Sequence, residues 1–213
     1  MHVYDGLADE DRRALTAQLR RRKFARREVI FHEGDPGEAL HVVAIGHVGI
    51  RVTTPLGDVA LVRVIGTGGF FGELALLSPG ARSATAIALE PTQTMSLSRE
   101  AFDELRSQRS EVNDFVLTAL ANEVRRLASA QSEALFVGAD KRMYRRIVEL
   151  ATTWDIDGAA DIPLTQEELG QLAGTTRSTA NRILREAEGA GAIELRRGAL
   201  RVLDVDWLTR RGR

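Results

Sequence analysis

Between residues 24 and 98 the apolar residues fall in short β-rich runs, each soon stopped by glycine or proline, and this punctuation limits the fold more than any other feature. The runs cover 29–31, 40–44, 48–52, 59–65, 84–89 and 94–97. Gly34, Gly37, Gly46, Gly57, Gly66 and the Ser78-Pro79-Gly80 turn separate them. Many short strands at near-regular spacing predict a small antiparallel barrel or roll.

From Ser98 the period becomes helical. Residues 98–102 open a short helix and 111–136 form a long one, whose apolar positions Val112, Val116, Leu120, Val124, Leu127, Ala134 and Leu135 lie mostly three or four apart. Such a face buries either on the roll or on a partner helix. About 26 residues make ~39 Å of helix, more than a small roll covers, which favours a partner helix. Asp9 to Leu19 reads as a short amphipathic lid, and Gly138 as a hinge, with the helix resuming over 141–154. Residues 158–163 read as a loop, Trp154 and Trp207 as packing residues at domain edges, and 210–213 as a fraying end.

Composition removes whole classes of function. The 213 residues, 44% apolar and 28% charged with a net charge of -1, suit one large or two small folded domains. Zero cysteines exclude disulfides, thiol nucleophiles and cysteine-held zinc or iron–sulfur clusters. Neither Lys23 nor Lys141 follows a glycine, so the P-loop is missing, as is Gly-x-Ser-x-Gly. No apolar h-region opens the chain and no run approaches the ~18 residues of a spanning helix, so a cytoplasmic protein without membrane contact is expected. His32, His41 and His47 fall in the roll without the spacing of a ligand pair. The basic run of Arg20, Arg21, Arg22, Lys23, Arg26 and Arg27 reads as a solvated edge, with a contact to RNA polymerase or DNA as the alternative.

Thr165-Gln-Glu-Glu168 fits a capping box, followed by Leu169, Leu172 and Ala173 on one side. Gly174 ends that helix, and Thr176 caps a second from Arg177 to about Glu188, which is helix-turn-helix spacing. Ala180, Ile183, Leu184 and Ala187 face inward, while Arg177, Ser178, Asn181, Arg182 and Arg185 face out. From Thr175 to Arg185 there are arginines and no acid, in a chain that is slightly acidic overall. Arginine reads guanine and asparagine reads adenine or holds phosphate, so the outer face suits double-stranded DNA. Two short strands over 192–196 and 199–203 complete a winged form.

The segment 68–85 carries the second motif. Gly72-Glu73-Leu74-Ala75 can turn its backbone N–H groups toward an anion, with Arg82 to neutralise it; Glu73 then needs a ligand that also offers a sugar hydroxyl. Phe71-Gly-Glu-Leu-Ala-Leu-Leu77 followed by Arg82-Ser-Ala-Thr85 resembles the phosphate-binding cassette of cyclic-nucleotide-binding domains. The stretches 30–37 and 45–52 resemble the glycine-punctuated strands of that roll. Together with the long helix and the winged helix-turn-helix, the order along essentially the whole chain resembles the Crp/Fnr family, in its cyclic-AMP receptor branch.

The resemblance implies an α+β chain with three parts: a jelly-roll-like, cyclic-nucleotide-binding β-roll over 1–110, a dimerisation helix and hinge over 111–137, and a winged helix-turn-helix over 138–213. It implies a non-enzymatic homodimer on a palindromic site, cyclic AMP as effector with no covalent cofactor, and RNA polymerase as a further partner. By position, Glu73 takes the ribose 2′-hydroxyl and Arg82 and Ser83 the cyclic phosphate. Arg177 and Arg182 match base-reading arginines, and Thr165, Thr176 and Thr179 phosphate contacts. Two positions depart from the pattern. Ser178 replaces a cytosine-reading glutamate, and Leu127 and Ala128 replace the adenine-reading threonine and serine, with Ser129, Gln131 and Ser132 nearby. Cyclic GMP, another small effector and constitutive activity therefore stay open, and a phosphodiesterase or a scaffold with a vestigial DNA module are the rivals from other classes.

Overall fold

The computed structural model of the protein describes residues 16–77, 80–108, 110–154 and 161–213. Most of the expected lid over 9–19, the Ser78-Pro79 part of the turn and residues 158–160 of the 158–163 loop lie outside the described residues; residues 16–18 are helical. The chain divides into two compact units, residues 1–52 with 65–128, and 53–64 with 129–213.

The β-rich region forms β1 (Arg20–Phe24), β2 (Val29–Phe31), β3 (Ala39–Ile45), β4 (Val48–Thr53), β5 (Val59–Ile65), β6 (Phe70–Phe71), β7 (Thr85–Ala88) and β8 (Thr92–Ser98). They form two sheets ordered β1-β8-β3-β6 and β2-β7-β4-β5, antiparallel between β1 and β8, β8 and β3, β3 and β6, β2 and β7, and β7 and β4. Side chains alternate between faces along a strand, so β3 sends His41 and Val43 one way and Leu40 the other. Val43 and Phe71 meet Val48, Ile65 and Ala86 of the opposing sheet in the roll core. Leu40 packs on the other side with Leu97, Phe102 and Leu105. The inward face of β8 is hydroxylated, and its buried Thr94 and Thr92 bond His41 and the His47 carbonyl. The basic run is itself a strand: β1 is the exposed edge that pairs with β8.

Helix α1 (Leu74–Leu77) follows β6, and α2 (Arg99–Gln108) and the long α3 (Ser110–Phe136) follow β8. The α3 stripe divides along its length. Val112 and Val116 pack onto the Leu97–Phe102–Leu105 cluster. Leu117, Val124, Leu127, Leu135 and Phe136 are 52–83% exposed.

The second unit holds α4 (Ala139–Thr153), β9 (Asp161–Ile162), α5 (Gln166–Leu172), α6 (Arg177–Gly189), β10 (Ile193–Arg196), β11 (Ala199–Val202) and α7 (Val205–Gly212). Its core is formed where these helices pack, with Met143 and Ile147 of α4, Leu169 of α5, Ile183 and Leu184 of α6 and Leu208 of α7 all buried. Residues 53–64 group with these helices through Gln171, whose side-chain amide accepts from Leu61 N at 2.9 Å and donates to Val59 O at 3.2 Å. Two expectations change. Residues 161–162 are a strand, pairing with β11 and adding a third member to the wing sheet. The C-terminus is docked helix where fraying was expected: Asp204 caps α7, Trp207 meets Tyr144 edge-on at 5.4 Å, and Arg145 Nε donates to the buried Gly212 carbonyl at 2.6 Å.

Candidate functional site

Arg82 centres the site in the roll. It is 6% exposed, and a cation that deep persists only when its donors and charge are met. The loop after β2 clamps its main chain, with Gly34 N donating to Arg82 O at 2.9 Å and Arg82 N to Asp35 O at 2.8 Å. The side chain donates through Nη1 to the Gly72 carbonyl at 2.9 Å and through Nη2 to the Ala39 carbonyl at 2.6 Å. Its guanidinium carbon lies 4.0 Å from the centroid of the Phe31 ring. Nε is buried without a hydrogen-bond partner.

Gly72 makes this arrangement possible. Its φ is +80°, a region that disfavours side chains, and a Cβ there would sit 2.5 Å from Arg82 Nη1. Glu73 follows at the head of α1, its carbonyl accepting from Leu76 N at 2.9 Å and Leu77 N at 3.2 Å. Leu74 and Ala75 lie in α1, Leu74 being half exposed, and Ser83 is exposed beside Arg82. Burial pulls the Arg82 pKa down, while the Asp35, Glu73 and Glu38 carboxylates pull it up; a guanidinium remains charged under such influences. The backbone thus brings Gly72, Glu73 and Arg82 together: a cation with an unmet donor, and a carboxylate able to accept from a hydroxyl. An anionic ester of a sugar has both features, so these residues fit a cyclic nucleotide.

Three further side chains, to which no motif assigned a role, contribute. His41 stacks on Phe71 with ring centroids 5.3 Å apart and bonds Thr94 Oγ1 at 3.1 Å. Burial first, then Arg82 and Arg22, push its pKa down to about 4, so it is neutral beside the arginine. Phe31 supplies the ring under the guanidinium. Arg99 donates to the carbonyls of Leu76 at 3.2 Å and Gly37 at 3.0 Å, fastening the end of α1 to the loop before β3. Among the described residues no three His, Asp or Glu are placed to hold a metal.

The second candidate site is the α5–α6 pair. Thr165 and Glu168 form the full capping box, and Thr176 accepts from Thr179 N at 3.3 Å to cap α6. The helices touch closely at Gly170, where a Cβ would lie 3.0 Å from that of Ala180. Gly174 turns the chain with φ +60°, and the Arg142 side chain holds the turn by donating to Ala173 O at 2.8 Å and Gly174 O at 3.0 Å. Arg177, Ser178, Asn181, Arg182 and Arg185 are exposed as expected. They differ in freedom. The Asn181 amide donates to Gln166 Oε1 at 2.7 Å, Ser178 lies 3.1 Å from the Thr176 hydroxyl, and Arg185 pairs with Glu188 at 2.7 Å. Arg177 and Arg182 have no ion pair among the described residues. Gln166, which holds Asn181, was not singled out by its sequence, because only the folded pair brings positions 15 residues apart together.

A ligand-binding roll joined in one chain to a winged helix-turn-helix with a basic outer face defines a DNA-binding transcription regulator. The comparisons agree with this class. Residues 21–109 match the family profile of the cyclic nucleotide-binding domain, and residues 141–211 that of the Crp-like helix-turn-helix domain. The chain is 30% identical over 215 residues to the "CRP-like cAMP-activated global transcriptional regulator" of Mycobacterium tuberculosis, covering 99% of this chain and 96% of that one. It is 30% identical over 204 residues to the "Cyclic AMP receptor protein" of Thermus thermophilus, covering 95% and 93%. The crystal structure of the Thermus thermophilus catabolite activator protein superposes with a TM-score of 0.58 at 30% identity, over 99% of this chain and 97% of that one. The chain belongs to the Crp/Fnr family of transcriptional regulators, which are not enzymes. Among the described residues no helix is long and apolar enough to cross a membrane.

Proposed function

We propose that this regulator is a homodimer whose DNA affinity is controlled by cyclic AMP bound in the roll. The observation that carries the reading is the buried Arg82, fixed by two main-chain carbonyls and left with an unmet Nε–H beside Glu73. The cyclic phosphate would take the free donors of Arg82 with help from Ser83, and the ribose hydroxyl would donate to Glu73. Gly72, Leu74 and Ala75 supply the cassette turn. Cyclic AMP is favoured over other effectors because the 30%-identical mycobacterial and Thermus relatives carry it in their names. Cyclic GMP is the second reading: Leu127 and Ala128 are exposed and offer no hydroxyl to the adenine amine.

DNA would be met by Arg177 and Arg182 at base edges, with Thr165, Thr176, Thr179, Asn181 and Arg185 holding phosphates and Ser178 altering the half-site. The effector acts by binding one arrangement of the dimer better than the other, which is the only way a ligand shifts such an equilibrium.

The test is calorimetric titration of the protein with cyclic AMP and cyclic GMP, with Arg82→Ala in parallel. Saturable heat with cyclic AMP that Arg82→Ala reduces at least 100-fold is expected, since a charge-assisted pair is lost. Absence of heat with both nucleotides overturns the effector assignment.

A further inference from the structure

Three aromatic rings from three different strands meet beneath Arg82. Phe31 ends β2, His41 lies in β3 and Phe71 ends β6. Phe31 is tilted against Phe71 at 5.8 Å and against His41 at 6.0 Å, and His41 and Phe71 are stacked at 5.3 Å with 14° between their planes. His41 and Phe71 are themselves paired across β3 and β6. The ring cluster is therefore tied to the backbone of both sheets. It is also neutral: His41 bonds Thr94 and is uncharged near neutral pH, so the cluster itself adds no cation under the arginine.

Resting on the reading that Arg82 takes a cyclic phosphate, we infer that Phe31 is a positioning residue of that site, its ring face setting the pose in which the guanidinium meets the phosphate. A guanidinium carries five donors in one plane. The Gly72 and Ala39 carbonyls engage Nη1 and Nη2, which fixes where two corners of the fork lie. Two in-plane bonds leave rotation about the line joining them. The Phe31 ring, 4.0 Å from the guanidinium carbon, blocks that rotation from one side and attracts the cation through its π face. The unmet Nε–H is thereby held in a constant direction, so that little ordering remains for the ligand to impose. A leucine at 31 fills similar space and keeps the core apolar but has no π face. A tyrosine keeps the face.

The experiment is calorimetric titration with cyclic AMP and cyclic GMP of the full chain and of Phe31→Leu, Phe31→Tyr, Arg82→Ala, Arg82→Lys and Phe31→Leu/Arg82→Lys, with thermal unfolding of each. Phe31→Leu should weaken the better-bound nucleotide roughly tenfold, the scale of a desolvated cation–π contact. Phe31→Tyr should stay within about twofold of the parent, and Phe31→Leu should cost little more once Arg82 is already lysine. A purely structural Phe31 moves the unfolding temperature without moving affinity, and that result overturns the inference while leaving the Arg82 reading intact. Loss of binding by Phe31→Leu that persists undiminished in the Arg82→Lys background overturns it as well. If Arg82→Ala binds as well as the parent, or the parent binds neither nucleotide, the reading beneath fails and the inference with it. Should the Phe31 variants not fold, the parent is labelled at arginine with nitrogen-15, and the signal lost in Arg82→Lys is assigned to Arg82. An Nε–H shifted upfield by the ring and slow to exchange supports the inference; an ordinary, fast-exchanging arginine signal overturns it.

Discussion

His41 shows how one buried side chain ties the site to folding. Its folded pKa of about 4 lies below the ordinary 6.5 because burial and then Arg82 and Arg22 disfavour the imidazolium. The unfolded chain therefore takes up the proton first as acid is added. His41's contribution to stability is complete above pH 6.5 and is lost as pH falls through 4, a change on the order of 3 kcal/mol. Glu133, Asp161, Glu188 and Glu194 also have lowered pKa values and weaken the fold in acid, but they are common to parent and variant. Urea unfolding from pH 7.5 to 4 should show the parent losing stability more steeply than His41→Gln, which keeps a polar partner for Thr94; parallel slopes would refute the assignment. The same residue marks the limit of legibility. Gly72, Glu73 and Arg82 stood out because glycine, acid and arginine at that spacing form a motif. Phe31 and His41 sat in ordinary strand runs, and what makes them part of the site is cross-strand register, which appears only once β2, β3 and β6 are paired.

At the scale of elements, the strands and helices follow period and punctuation closely. β6 and β9 are not legible in the sequence because two residues carry no period, and β1 because charge masks a strand whose partner β8 lies 68 positions away at its nearest register pair. The joint between α3 and α4 is the more instructive difference. Gly138 suggested a free hinge, yet its φ is −59°, a value open to any residue, and side chains span the break. Glu133 of α3 accepts from Arg145 at 2.7 Å and from Arg146, and Arg142 Nη1 donates to the Val137 carbonyl at 2.5 Å. Burial raises the Glu133 pKa, but the Arg145 hydrogen bond and the two positive charges outweigh it and hold the carboxyl below its usual range. The last turns of α3 are thus stapled to α4, which suits an element that passes a motion onward. Glu133→Gln removes the charge from under two arginines and should cost about 1–2 kcal/mol, given partial exposure. Hydrogen exchange should then speed up at the amides of 137–142. Unchanged protection there would show that Gly138 alone sets the joint.

For the whole molecule, the exposed half of α3 and the recognition helix pose one question. Leu117 and Val124 are seven residues apart and Leu127 three further on, the a/d spacing of a two-helix seam, and each is more than half exposed in the single chain. Apolar rows of that kind are seldom left to water. In the proposed DNA complex one α6 would offer Arg177 and Arg182 to one half-site only, and a palindrome needs two such helices about one DNA turn, ~34 Å, apart. A second copy joined along α3 meets both demands at once. Sedimentation equilibrium should therefore return twice 23.4 kDa for the parent. Val124→Asp with Leu127→Asp should return the single mass, because two buried carboxylates facing their symmetry mates oppose association. The α5–α6 pair does not depend on that seam for its own core, so the double variant should keep its helical circular dichroism and still bind a half-site weakly. On a full palindrome it should lose the gain that comes from linking two sites, commonly 100-fold or more at about 0.1 M salt. A double variant that stays dimeric and holds the palindrome as tightly as the parent would place the seam elsewhere. One that is monomeric yet equally tight would show that the DNA assembles two separate chains and that the exposed row on α3 serves another purpose.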